Sequence, residues 1–95
     1  MISQQLQILN KSGLHLKPAN KLCQEAMKYQ SSVTFTYKTT TANVKSVLSI
    51  LGACVRGGES ITVTCDGTDE REAMAGIAGA VASGLGEAVG EMKAK

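Results

Sequence analysis

The apolar residues of this chain change their period several times, and that switching constrains the fold more than any other feature. Ile2, Leu6 and Ile8 alternate with Ser3, Gln5 and Gln7, the signature of a half-buried strand. Val33, Phe35 and Tyr37 alternate with Thr34 and Thr36, and Ile61, Val63 and Cys65 alternate with Thr62 and Thr64. Both stretches are rich in β-branched residues and predict strands. Thr39 to Asn43 reads as a weaker, polar edge strand joined to the second by a tight turn. Between these segments the period lengthens. Leu16, Ala19, Leu22, Cys23, Ala26 and Met27 recur at helical steps, and Ala73, Met74, Ile77, Ala78, Val81 and Leu85 do the same. A short apolar stretch, Val47 to Leu51, predicts a third helix ending near Gly52.

The order is β-α-β-β-α-β-α. Clean alternation favours antiparallel pairing with helices on one face, an α+β fold. Local signals agree with these boundaries. The only proline, Pro18, falls in the first turn of the first helix, where its missing N–H costs little. Asp69, with Glu72 three residues on, reads as a capping box for the last helix. Gly76, Gly79 and Gly84 predict a soft end to that helix.

A chain of 95 residues supports one modest core and no separate catalytic domain. Aromatic residues make up only 3% of it, so the core must be aliphatic. A net charge of +2 and so few aromatics give neither the concentrated basic face nor the stacking platform of a nucleic-acid binder. Cys23, Cys54 and Cys65 are odd in number and lack C-x-x-C spacing, and one histidine makes no metal cluster. They are expected as reduced, buried thiols on the apolar stripes of their elements, in a cytoplasmic protein. No secretory signal is expected, since Gln4, Gln5 and Gln7 interrupt any N-terminal apolar run, and no membrane-spanning stretch, since the longest mainly apolar one, Val47 to Val55, is far too short.

The chemistry concentrates at the single histidine. Gly13-Leu14-His15-Leu16-Lys17-Pro18-Ala19 sets an imidazole at the start of a helix with a cation two residues later. A helix start presents unpaired N–H groups and partial positive charge, which suit a phosphate. Histidine is nucleophilic at neutral pH without prior activation. Three roles remain open on local chemistry alone: a phosphoryl acceptor, an anion-binding residue, or a polar surface or capping residue.

The same segment resembles the active-site pattern G-[LI]-H-x-R-P-A of the HPr family, the histidine-containing phosphocarriers of the bacterial phosphoenolpyruvate:sugar phosphotransferase system. Ala42-Asn43-Val44-Lys45-Ser46-Val47-Leu48 is similar to the segment around the regulatory serine of Gram-positive members. Gly67-Thr68-Asp69-Glu70 and Gly84-Leu85-Gly86-Glu87 resemble further family segments. The spacing agrees without gaps from residue 1 to about 87.

The resemblance implies an open-faced sandwich, a four-stranded antiparallel sheet with three helices on one face. It implies an HPr domain over residues 1–87, with 88–95 a flexible tail. It also implies transfer at His15 Nδ1 from phosphorylated enzyme I to the sugar-specific IIA domains, with Lys17 stabilising the phosphate. Leu16, Asn20, Val47, Leu48 and Leu51 are the implied docking residues. Ser46 is the implied target of the HPr kinase/phosphorylase, in catabolite control through a regulator. No cofactor, metal, nucleic acid or membrane insertion is implied, and a monomer is expected.

Lys17 departs from the pattern, which has arginine there. Lysine keeps the charge and loses the planar fork that grips two phosphate oxygens. A regulatory HPr-like paralogue, acting mainly by binding a transcription factor or enzyme, is the second reading. A small ligand- or metal-binding module is the third.

Overall fold

The computed structural model describes residues 1–86. The expected tail, 88–95, lies outside the described residues. The elements follow the anticipated order: β1 Ile2–Gln7, α1 Leu16–Ala26, β2 Ser32–Tyr37, β3 Thr40–Asn43, α2 Val47–Gly52, β4 Ser60–Asp66 and α3 Glu70–Ala82. The strands form one antiparallel sheet in the order β1-β4-β2-β3.

Register sets the two faces. Phe35 lies opposite Val63 and Ala42, Val33 opposite Cys65, and Ile61 opposite Leu6. These residues point to the helices, and Phe35, Val33 and Cys65 are fully buried. One residue out of phase, Thr36, Thr62 and Ser3 face water, where Ser3 and Thr64 share a hydroxyl–hydroxyl bond of 2.8 Å. The helices close the inner face with Ala19, Leu22, Ala26, Ile50, Ala73 and Ile77, all at 0% exposure. Burying a Leu or Ile side chain contributes about 1.5–3 kcal/mol, so Leu22 and Ile77 are main attachments of their helices. The core is aliphatic apart from Phe35 and Tyr37, as composition requires. Thr40–Asn43 is an edge strand, as β1 is at the other side, and is reached through a turn in which Lys38 takes a left-handed φ of 56°.

Several expectations give way. Leu16 and Met27 sit on the predicted stripe of α1 but are 59% and 62% exposed. They occupy the first position and the C-cap of that helix, beyond the part that covers the sheet. Leu85 lies outside α3, which stops at Ala82. Gly84, at φ 89°, reverses the chain. The bonds Leu85 N–H to Ala80 O and Gly84 N–H to Val81 O then form a Schellman cap, which folds Leu85 back into the core at 2% exposure.

Of the cysteines, only Cys65 is fully buried; Cys23 is half-buried and Cys54 exposed. Cys54 falls just past α2, where Ala53 takes the inward position and the chain turns through a left-handed φ of 56°. Asp69 is the N-cap of α3 by position but makes no capping bond. Its carboxylate accepts instead from the N–H of Gln30, the N–H of Ser31 and the Ser31 hydroxyl. Glu70, not Glu72, reaches back, accepting from the Gly67 N–H over 3.1 Å.

Candidate functional site

Two loops build the site, and both lie at the end of the sheet where Gln7 of β1 pairs with Ser60 of β4. The first runs from β1 into α1. Asn10, itself buried, donates its side-chain amide to the carbonyl of Gly13 over 2.6 Å and accepts the Gly13 N–H on its own carbonyl. Leu14 then plugs into the core at 3% exposure. The following residue, His15, is pushed to the surface as the N-cap of α1 in extended conformation, φ −90° and ψ −167°.

Its carbonyl receives the first helical bond, from Ala19 N–H at 2.9 Å. Its side chain makes no capping bond to the helix, so the capping role left open by local chemistry does not hold. Lys17 is exposed in the first turn, and Pro18 is buried beside it.

The second loop runs from α2 to β4. The carbonyl of Val55 accepts the N–H of Leu14 at 3.0 Å, and Gly58 N–H bonds to Ile8 O at 2.8 Å. Gly13, at φ 73°, approaches this loop so closely that a side chain would not fit: a Cβ there would lie 2.8 Å from the Gly57 nitrogen and 2.9 Å from the Arg56 carbonyl carbon. Between the two loops opens a shallow depression whose walls include His15, Leu14, Leu51, Cys54, Lys11 and Arg56. Among the described residues no carboxylate lines it. Its rim is cationic and its floor aliphatic, a surrounding suited to an anion held at His15.

Ser46 is the N-cap of α2, its hydroxyl accepting the Ser49 N–H at 3.2 Å. The Ser49 hydroxyl in turn accepts the Asn43 N–H at 2.8 Å. Lys45 is tied down, donating its ammonium to the Tyr29 carbonyl at 2.7 Å. Helices α1 and α2 pack against each other. They present Leu16, at 59% exposure, and Leu48, at 81%, while Val47 and Leu51 are partly buried against the core. Asn20 is exposed one turn along α1 from Leu16.

His15 and Leu51 thus share one depression. Lys17 belongs to the helix start and not to the depression's walls. Arg56 does line it and was not singled out from sequence, because nothing local to Arg56 signals that its loop folds onto Gly13. Among the described residues no group of His, Cys, Asp or Glu could hold a metal ion, and no helix is long and apolar enough to cross a membrane.

A surface histidine at a helix start, on a four-stranded open-faced sandwich with a cationic hollow beside it, defines the class of small phosphoryl-carrying domains. The chain belongs to the HPr family, since the family model described as "PTS HPr component phosphorylation site" matches residues 2–83. The phosphocarrier protein HPr of Mycoplasma capricolum is 34% identical over 70 residues, covering 74% of this chain and 79% of that protein. The crystal structure of HPr-C-His from Thermoanaerobacter tengcongensis superposes with a TM-score of 0.88 at 31% identity, covering 93% of this chain and 99% of that one. Crh, the Bacillus subtilis catabolite repression protein, solved as a swapped dimer, gives a TM-score of 0.71 at 29% identity, with coverage of 92% and 100%. The general role of the family, phosphocarrier of the phosphotransferase system, is the role of this chain.

Proposed function

We propose that the domain over residues 1–87 accepts a phosphoryl group on His15 from phosphorylated enzyme I and passes it to the IIA domains of sugar permeases in the cytoplasm. The observation that carries this reading is the position of His15: surface-exposed at the start of α1, not used as a cap, and opening onto a depression that no carboxylate lines among the described residues. The lone pair of an imidazole nitrogen forms the N–P bond while the bond from phosphorus to the donor breaks, its electron pair leaving with the donor. The N–H groups of the first turn and the Lys17 ammonium offset the charge delivered. Transfer to the acceptor reverses the same exchange, so the chain ends unchanged.

Leu16, Asn20, Val47, Leu48 and Leu51 are the residues on which both partners dock in this reading. The protein acts as a carrier and not as a self-sufficient enzyme, and as a monomer. Incubation with phosphoenolpyruvate and enzyme I should label the wild type with an acid-labile, alkali-stable phosphate that His15→Ala loses. An unlabelled wild type would refute the reading.

A second reading rests on Ser46, whose hydroxyl stands at the start of α2. A phosphate there is electrostatically favoured. In this reading the HPr kinase/phosphorylase modifies Ser46 and the product binds a catabolite-control regulator, the chain acting as a regulatory HPr-like paralogue. Label from ATP and that kinase, lost in Ser46→Ala, tests it.

A further inference from the structure

We infer that Arg56, on the loop between α2 and β4, is a phosphate-gripping residue of the His15 site, supplying the guanidinium that the segment around the histidine lacks. The inference rests on the phosphocarrier reading above and names a residue that acts in it.

Position is the first argument. Arg56 is far from His15 in sequence, yet its backbone is clamped beside Gly13 from both sides. Val55 O accepts from Leu14 N–H at 3.0 Å, and Arg56 O accepts from Glu59 N–H at 3.2 Å. The Gly13–Arg56 approach leaves no room for a Cβ at Gly13. One residue further, Gly57 presses on the Lys11 carbonyl so closely that it too must lack a side chain. The loop therefore cannot drift from the histidine without breaking these contacts. Arg56 is exposed and lines the same depression as His15.

Chemistry is the second argument. The cations nearest the histidine in sequence, Lys11 and Lys17, are ammoniums, each a compact single-headed donor. A phosphoryl group in transfer spreads its charge over three oxygens, and only a guanidinium offers two parallel N–H donors to a pair of them. The chain has two arginines. Arg71 starts α3 at the opposite end of the sheet, which leaves Arg56. Among the described residues no carboxylate lines the depression to compete for it. As the N–P bond at His15 forms and the donor bond breaks, Arg56 donates hydrogen bonds to phosphoryl oxygens and exchanges neither proton nor electron.

The test uses the full chain as wild type, Arg56→Gln, Arg56→Lys, Lys17→Arg and the double variant Arg56→Gln with Lys17→Arg. The initial rate of His15 labelling by phosphorylated enzyme I is measured, and thermal unfolding verifies that each variant folds. Loss of a charge-assisted pair predicts a rate about 10- to 100-fold lower for Arg56→Gln. Arg56→Lys should recover part of it, and Lys17→Arg in the Arg56→Gln background most of it. The gain from Lys17→Arg should be larger in the Arg56→Gln background than in the wild type, which would not follow if Arg56 merely held its loop. Wild-type rates in Arg56→Gln, or a slow double variant, overturn the inference while leaving the carrier reading intact. An unlabelled wild type overturns both.

Discussion

Leu14 donates its backbone N–H to the carbonyl of Val55 over 3.0 Å, and this bond joins the loop that presents His15 to the loop that leaves α2. The bonds from Gly58 N–H to Ile8 O at 2.8 Å and from Ile8 N–H to Glu59 O at 2.9 Å complete the junction, next to the pairing of β1 with β4. The site is therefore only as rigid as this junction, and the junction requires Gly13 without a side chain.

Gly13→Ala should accordingly be costly. A left-handed backbone and a Cβ against three backbone atoms of the opposite loop predict a loss of about 1–3 kcal/mol. Urea unfolding measures the first part, and the rate of His15 labelling should fall with it. A variant as stable and as active as the wild type would show that the close approach is not needed.

Ser46→Ala removes the hydroxyl that accepts the Ser49 N–H. A lost N-cap costs about 0.5–2 kcal/mol. Ser46→Asp keeps an acceptor and adds negative charge where the helix favours it, so it should unfold at or above the wild-type temperature. Thermal melts of the three proteins decide this. Equal melting of Ser46→Ala and wild type would mean that the cap contributes nothing.

Asp69 gives a pH prediction. Hydrogen bonds from the Ser31 hydroxyl and from the Gln30 and Ser31 N–H groups hold its carboxyl below the ordinary value of 3.8. A carboxyl depressed in the folded state adds stability above its unfolded value and loses it as pH falls through the folded one. The urea midpoint should thus be flat above pH 5 with respect to this group and drop below about 3.8. Asp69→Asn should lower the midpoint at neutral pH and flatten the acid decline. A residual slope remains, because Glu25, paired with Lys28, and Glu70, bonded to the amino terminus, are also depressed. An unchanged acid slope in Asp69→Asn would exclude this role.

Leu48 is 81% exposed, so Leu48→Ser should leave stability within about 0.5 kcal/mol. In the carrier reading it should instead raise the KM for enzyme I, with little change in kcat. Titration of enzyme I kinetics with each protein measures both. An unaltered KM would remove Leu48 from the docking surface.

Lys17→Arg restores a fork of N–H donors at the helix start. The expected outcome is faster transfer, by several-fold, with at least one partner. Identical kinetics with enzyme I and every IIA domain would mean that the lysine costs nothing.

Legibility in the sequence followed the range of the interactions. Val33, Phe35 and Tyr37 announced their inward face because a strand's period maps directly onto sheet geometry. Ser46 was readable because a cap acts over three residues. Asp69 was misread for the complementary reason: the capping-box pattern looks three residues ahead, whereas its partner Ser31 sits just before β2. The exposure of Leu16 depends on how far α1 overhangs the sheet, which no periodicity encodes. His15 was conspicuous from its neighbours, but Arg56 and Cys54 reach the same depression only through the pairing of β1 with β4. Long-range register leaves no local trace.

The small apolar area offered by Leu16 and Leu48 has a consequence in time. Affinity differences among related complexes lie mostly in the dissociation rate, and two exposed leucines with half-buried neighbours bury too little surface for a long residence. In the carrier reading, a partner seated there should leave quickly. In that reading one patch serves a donor and then an acceptor, so brief encounters set the turnover, and tightening the patch would slow delivery.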